Sequence, residues 1–385
     1  MIKSKAARWA LKRALSFASC YLSFGIGMMT HPILAEPIQP RIMSIATSKV
    51  GALTGPHALT DQKKVDICGT DLGTMAEQNG RIYFAFGDTF GYDGNICRGV
   101  GGPNWRSNSF ASTADVDPHD GVRLSEWLCG PDGRAIAIIE GKHEPPFASG
   151  TSEQTKIPTS MVSVDGTIYL HYMSVRGFAA RGGVWECNGS KWVYTDDSGK
   201  TWHECSLPFG DRNSNFNMLA LTAAVAKDNP DGQYLYALGT PCGRFGSVKL
   251  GRVPRHHILE PEAWEFFSLL NGREPNWTKS SDNAAEIIAS PVGEASVLWN
   301  PAIQRWMYSY LNEETASLEL READHLWGPW SAPHTLASAA DYPQLYGAFM
   351  TPSFLRNDGR TLFFVMSLYG PYNTFIMKAD LTFGP

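Results

Sequence analysis

The chain has 385 residues with a formal net charge of −5, 18% charged residues and 43% hydrophobic ones. A mildly acidic chain without a basic run is a poor nucleic-acid binder, so no nucleic-acid partner is expected and neutral substrates suit it better. That apolar content is ample for a folded core, and the roughly 350 residues after the leader could form one large all-β domain as readily as two ordinary ones.

Residues 1–35 read as a signal peptide. Lys3, Lys5, Arg8, Lys12 and Arg13 form a basic start, Ala14 to Met29 is uncharged, and Ile33-Leu34-Ala35 resembles a cleavage site before Glu36. An uncleaved anchor is the competing reading, but the uncharged stretch falls short of the ~20 residues that a bilayer span needs. No later stretch is long and apolar enough to cross a membrane. The expected product is an exported monomer, periplasmic or extracellular, with no stable membrane span. Six cysteines follow the leader: Cys68, Cys97, Cys129, Cys187, Cys205 and Cys242. An even count in an exported chain points to disulfides, and the lack of a C-x-x-C pair argues against zinc. Cys187 and Cys205 flank a candidate hairpin and are the first choice of bridge, while Cys68 and Cys97 bracket another.

That second hairpin is the most informative stretch. Asn79-Gly80 separates Gly69-Thr70-Asp71-Leu72-Gly73 from Arg81-Ile82-Tyr83-Phe84-Ala85-Phe86-Gly87-Asp88-Thr89-Phe90. Asn-Gly between such runs signals a two-residue type I′ turn, because both residues tolerate positive φ. Asp71 and Asp88 each lie eight residues from the turn, so regular pairing sets them face to face. Opposed side chains have Cβ atoms ~4.5–5.5 Å apart, where like charges destabilise. Such a pair suits acid/base or nucleophilic work; turn capping and a hard-cation site, such as a structural calcium ion, are the alternatives. No other cofactor is called for.

The same turn-plus-aromatic-strand unit recurs at Asp165-Gly166, Asp231-Gly232, Asn300-Pro301-Ala302 and Asp358-Gly359, at spacings that suit four-stranded blades. The predicted fold class is all-β, a single-domain five-bladed β-propeller over residues 36–385. Tyr194 to Trp202 matches the Asp-box of sialidase-type propellers, a structural turn, and only Pro261 to Glu265 suggests a helical turn. In a propeller the innermost strands all begin at one mouth of a central channel, and Asp71, Lys156, Asn217, Glu294 and Tyr346 are the polar residues expected to open them. Polar groups crowded there lose solvent and need partners, which favours a ligand site. Glu294 could orient substrate or simply pair with Arg176 or Arg244. Trp105, Arg106, Tyr172, Arg176, Arg244, Phe245, Tyr369, Tyr372 and Asn373 add the planar faces and donors that sugar rings need. Arg255-His256-His257 reads as a solvated loop, since neighbours on a strand point to opposite faces. There is no Gly-x-Ser-x-Gly elbow, no His-Glu-x-x-His and no Walker loop.

Gly69 to Gly73, Phe86-Gly87-Asp88-Thr89-Phe90-Gly91 and Trp105-Arg106-Ser107-Asn108 follow one another as in a bacterial family once known as a domain of unknown function. Ile157-Pro158-Thr159, Tyr172 to Arg176, Gly239-Thr240-Pro241, Gly243 to Gly246, Pro291 to Glu294, Tyr346-Gly347 and Ser367 to Asn373 extend the likeness over most of residues 45–382. The chain thus resembles the endo-D-arabinanases, five-bladed propeller hydrolases. The resemblance implies cleavage within a D-arabinan polysaccharide, with the catalytic pair at Asp71, as base or nucleophile, and Asp88, as general acid. Direct pairing of the two leans towards the short carboxylate spacing of a retaining enzyme. Cys242 and Ala348 depart from the family pattern at the channel mouth.

Overall fold

The computed structural model describes residues 39–385 apart from positions 208 and 273; the expected leader lies outside the described residues. What folds the chain is the recurring hairpin. At Asn79-Gly80 and Asp165-Gly166 both turn residues have positive φ, and Gln78 pairs with Arg81 and Val164 with Thr167 across the two turns. The aromatic strands that follow are apolar on both faces because a propeller sheet packs against a neighbour on each side. Ile82 to Phe86 and Leu362 to Met366 are accordingly buried without alternation.

Five sheets result. Blade 1 comprises Gly69–Gln78, Arg81–Phe90, Ser109–Thr113 and Glu126–Trp127. Blade 2 comprises Thr155–Val164, Thr167–Phe178, Trp185–Thr195 and His203–Glu204. Blade 3 runs from Met218–Thr222 through Tyr234–Thr240 and Gly246–Pro254 to the hairpin Glu265–Asn271 and Glu274–Thr278, with Glu286–Val292 added beside Gly246–Pro254. Blade 4 is Ala295–Asn300, Arg305–Asn312, Ser317–Ala323 and His334–Ser338. Blade 5 is Leu345–Phe349, Thr361–Leu368 and Asn373–Gly384, and its outermost strand is Arg41–Ala52, from the start of the described chain. That strand closes the ring: Arg41 pairs with Gly384 and Ala52 with Phe375. The innermost strands pack in the cycle 1-2-3-4-5-1. Among the described residues helix is confined to short 3₁₀ turns, one of them Pro261–Ala263 as expected, and none is long and apolar enough to cross a membrane.

Two expectations fail for physical reasons. Cys187 bonds to Cys242, not Cys205, while Cys68 bonds to Cys97. Cys205 lies opposite Trp192, five residues along the strand from Cys187, which is ~16 Å at the rise of an extended chain and far beyond disulfide reach. Cys129 and Cys205 are unpaired. In blade 1 the register slips at Leu72, which pairs with Phe86 between shifts on either side, so Asp71 and Asp88 are not direct partners. Leu72 and Gly73 both have positive φ there, the mark of a bulge.

The Asp-box is structural, as its sequence suggests. Asp197 accepts from the backbone N–H of Thr201 and of Lys200 at 3.0 Å and from both nearby threonine hydroxyls, and these bonds, that of the Thr201 amide first, pull its carboxyl down to about 2. Trp202 meets Phe110 of blade 1 edge-on at 5.2 Å. Replacing this turn lock, Asp197→Ala is expected to cost about 1 kcal/mol, read as a lower melting temperature with unchanged activity.

Candidate active site

Each of the five residues expected at the channel mouth sits at or beside the start of an innermost strand. Asp71 is the third residue of the inner strand of blade 1 and Lys156 the second of blade 2, Asn217 and Glu294 immediately precede the inner strands of blades 3 and 4, and Tyr346 is the second residue of the inner strand of blade 5. Below them the channel narrows to an apolar cavity of about 30 Å³ lined by Leu72, Ile157, Met173, Met218, Leu238 and Phe349. That is room for water but not for sugar.

The bulge at Leu72-Gly73 decides where Asp71 points. Its carboxylate lies over the backbone of Gly87, where a Cβ would stand 2.2 Å from Asp71 Oδ1; any side chain at position 87 would displace it. The bulge is held from blade 5, whose Ser367 hydroxyl accepts from Leu72 N–H at 2.8 Å. Asp71 Oδ2 accepts from the Tyr346 hydroxyl at 2.8 Å, and Oδ1 is buried without a hydrogen-bond partner. Asp88, 8% exposed, takes both of its bonds on Oδ1, from Trp105 Nε1 at 2.7 Å and Thr155 Oγ1 at 2.6 Å. Oδ2 is left free to meet a ligand.

Burial dominates the protonation of both. It pushes Asp71 up to about 7 against the opposing hydrogen bonds of Tyr346 and Tyr372 and the nearby Arg244 cation, with Glu294 adding to the rise. It pushes Asp88 up to about 7 as well, against the bonds from Thr155 and Trp105, with the charges of Asp71 and Glu140 adding to the rise. Burial and the neighbouring Asp71 charge hold the Tyr346 and Tyr372 hydroxyls well above the usual tyrosine range, so both remain donors. Among the described residues no group of three or more His, Cys, Asp or Glu side chains is placed to hold a metal ion.

The other expected site residues divide. Trp105 stacks on Phe90 at 6.1 Å and meets the His143 ring edge-on at 4.0 Å. Tyr372 meets Phe90 at 5.6 Å, and Tyr369, 53% exposed, packs edge-on against Tyr372. Phe245 carries the Arg181 guanidinium 4.4 Å from its centroid, and Lys156 Nζ stands 5.8 Å from the Tyr172 centroid. Arg176 is tied to Glu186 and to the Ser149 carbonyl. Four residues are turned inward and spend their polar ends on the scaffold. Arg106 donates to the carbonyls of Ala135 and Asp66, Tyr172 to Glu204 on the outermost strand of its blade, Asn217 to the carbonyls of its 211–214 loop, and Asn373 to Pro371 while accepting from Thr54. Arg244, expected to meet substrate, instead forms ion pairs with Glu294 and Glu313.

Residues 58–378 match the DUF4185 family, described as a domain of unknown function. The chain belongs to this family. A DUF4185 chain of this kind is 24% identical over 326 residues to an uncharacterized 35.9 kDa protein of Mycolicibacterium smegmatis, covering 78% of this chain and 88% of that one. Among solved structures, a candidate hydrolase from Bacteroides ovatus superposes with a TM-score of 0.56 at 12% identity, covering 82% of this chain and 86% of that one. A family 117 glycoside hydrolase from Zobellia galactanivorans superposes at 0.47 and 12% identity over 89% and 91% of the two chains. At 12% identity the Bacteroides ovatus structure shows a shared fold and no more.

Reading the DUF4185 sequence alone misses Thr155, Ser367 and Glu313. Thr155 is the hydroxyl that holds Asp88, and its only signal is that it precedes Lys156 at the start of an inner strand. Ser367 and Glu313 reach the site from neighbouring blades but from far along the sequence, which no local pattern reveals.

Proposed function

We propose that this protein is an endo-acting glycoside hydrolase that cleaves α-D-arabinofuranosyl linkages in D-arabinan. Asp88 is the general acid and Asp71 the base or nucleophile. The observation that carries the reading is the pair of buried aspartates at the channel mouth, one gripped on a single oxygen by Trp105 and Thr155, the other by Tyr346. The substrate class rests on the likeness of the quoted motifs to the endo-D-arabinanases.

Asp71 has an arginine nearby and two tyrosine donors, and Asp88 has the Asp71 charge beside it. In this assignment of roles Asp71 carries the charge, and that charge keeps the proton on Asp88, whose carboxyl it raises. The glycosidic oxygen takes that proton at Asp88 Oδ2 as the C–O bond breaks. Asp71 then either attacks the anomeric carbon or draws a proton from the attacking water. The ionised Asp71 favours the oxocarbenium character of the transition state. Trp105, Phe245, Tyr369 and Tyr372 offer rings for sugar faces, and Lys156 and Arg176 offer cationic donors. Because the bulge breaks direct Asp71–Asp88 pairing, the register supports neither retention nor inversion. Two disulfides fit an oxidising compartment, and export through the residue 1–35 leader belongs to the same proposal.

The test is incubation of the purified protein with D-arabinan, L-arabinan and sialosides. Oligosaccharides of mixed length from D-arabinan alone are expected. Binding without products from any polymer would replace the hydrolase with a glycan-binding propeller.

A further inference from the structure

Arg244 is held near the dyad by four hydrogen bonds to two carboxylates, and none of its donors is given to substrate in the proposed chemistry. Its Nε donates to both Glu294 oxygens at 3.0 Å, Nη2 donates to Glu294 Oε1 at 2.8 Å, and Nη1 donates to Glu313 Oε1 at 2.7 Å. The guanidinium lies 5.1 Å from the Tyr346 ring centroid and 5.6 Å from that of Trp185. Its backbone N–H donates to the Gly183 carbonyl at 2.9 Å, and two residues before it Cys242 is bonded to Cys187 of blade 2. One side chain on a blade 3 loop is thus fixed by blades 2 and 4 and covers a ring of blade 5. The Tyr346 hydroxyl at the far end of that ring donates to Asp71.

We propose that Arg244 is a positioning residue that clamps Tyr346 against Asp71. This rests on the hydrolase reading of the dyad and deepens it. A planar fork held by two carboxylates and laid on a ring is a geometry that lysine cannot reproduce. Every donor edge used by Glu294 and Glu313 is one that a substrate hydroxyl would have to displace from an ionic bond, so a substrate-binding role is disfavoured. The groups facing Asp71 are Asp88 of its own blade, Tyr346 and Tyr372 of blade 5, Glu294 of blade 4 and Arg244 of blade 3. Among them Arg244 is the cation. Without it Glu294 faces Asp71 unscreened and Asp71 ionises later. Without the Glu294 charge the cation acts alone and Asp71 ionises earlier.

The two substitutions therefore move one observable in opposite directions, which general loosening of the fold does not do. Carboxyl ¹³C titration of Asp71 in the whole protein reads it directly. Arg244→Met is expected to raise the Asp71 midpoint by about one pH unit or more and lower kcat roughly 10- to 100-fold, with KM changed by less than about threefold. Glu294→Gln is expected to lower the midpoint. Arg244→Lys restores the midpoint and leaves kcat low. Tyr346→Phe, which removes the donor without touching the ion pairs, raises the midpoint and serves if Arg244→Met does not fold. An Asp71 midpoint unmoved in both charge variants, or a raised KM with unchanged kcat in Arg244→Met, overturns the proposal. If the wild type hydrolyses no furanoside, the hydrolase reading falls, and the titration still decides whether the clamp exists.

Discussion

Asp88→Asn is expected to lower kcat on D-arabinan by roughly 10³-fold or more, the upper part of the range for a general acid, with little change in KM. The same variant should lose far less on an aryl arabinofuranoside whose phenolate leaves without protonation, because only the polymer needs the proton that Asp88 Oδ2 delivers. Asp71→Asn should lose activity on both substrates, since no leaving group replaces the base or nucleophile. The contrast comes from the partner sets. An asparagine at 88 still accepts from Trp105 and Thr155 through its carbonyl oxygen, so the mouth keeps its shape and only the proton is missing. Steady-state kinetics on the two substrates checks this. Equal losses on both substrates for Asp88→Asn would reverse the assignment of roles.

The same substitutions are expected to make the protein more stable in mild alkali. Asp71 and Asp88 are held up to about 7 in the folded state, against an ordinary value of 3.8. A carboxyl raised in this way binds a proton that the unfolded chain has released. It contributes stability that is fully present below about 3.8 and is lost as pH rises through about 7. Across that window each aspartate costs at most about 1.4 kcal/mol per pH unit. Either Asn variant removes one such cost. Melting temperatures of wild type and variants should be close at pH 4 and separate progressively to pH 8, the variants melting several degrees higher. Parallel curves would mean that the carboxyls titrate at ordinary values. A gain in stability paired with a loss of rate is the usual signature of a strained functional site.

The fold was legible because its unit repeats. Asn79-Gly80 and Asp165-Gly166 announce their turns through residues that tolerate positive φ, and the aromatic strands after them can be buried on both faces only between blades. The five mouth positions followed from that repeat together with propeller geometry. The fine placement of the dyad was not legible, because positive φ at Leu72 as well as Gly73 shifts the register, and Leu72 gives no local sign of it. Cysteine pairing failed for a related reason: Cys187 and Cys205 flank one hairpin but lie at different heights along it, while Cys242 comes from the next blade. Arg106 was credited to the site through its neighbour Trp105, yet adjacent side chains on extended backbone point apart, and Arg106 turns to the carbonyls of Asp66 and Ala135. The ion pair of Arg244 with Glu294 was one of two weighed from the sequence. Its contact with Tyr346, and through it with Asp71, needed three blades in their places.

The most direct test is the time course of oligosaccharide release from D-arabinan by the wild type beside Asp71→Asn and Asp88→Asn, each confirmed folded by its melting curve. Soluble oligosaccharides of intermediate length should appear early with the wild type and fall to about a thousandth or less with either variant. Undiminished release by a folded Asp88→Asn or Asp71→Asn would contradict the two-aspartate site.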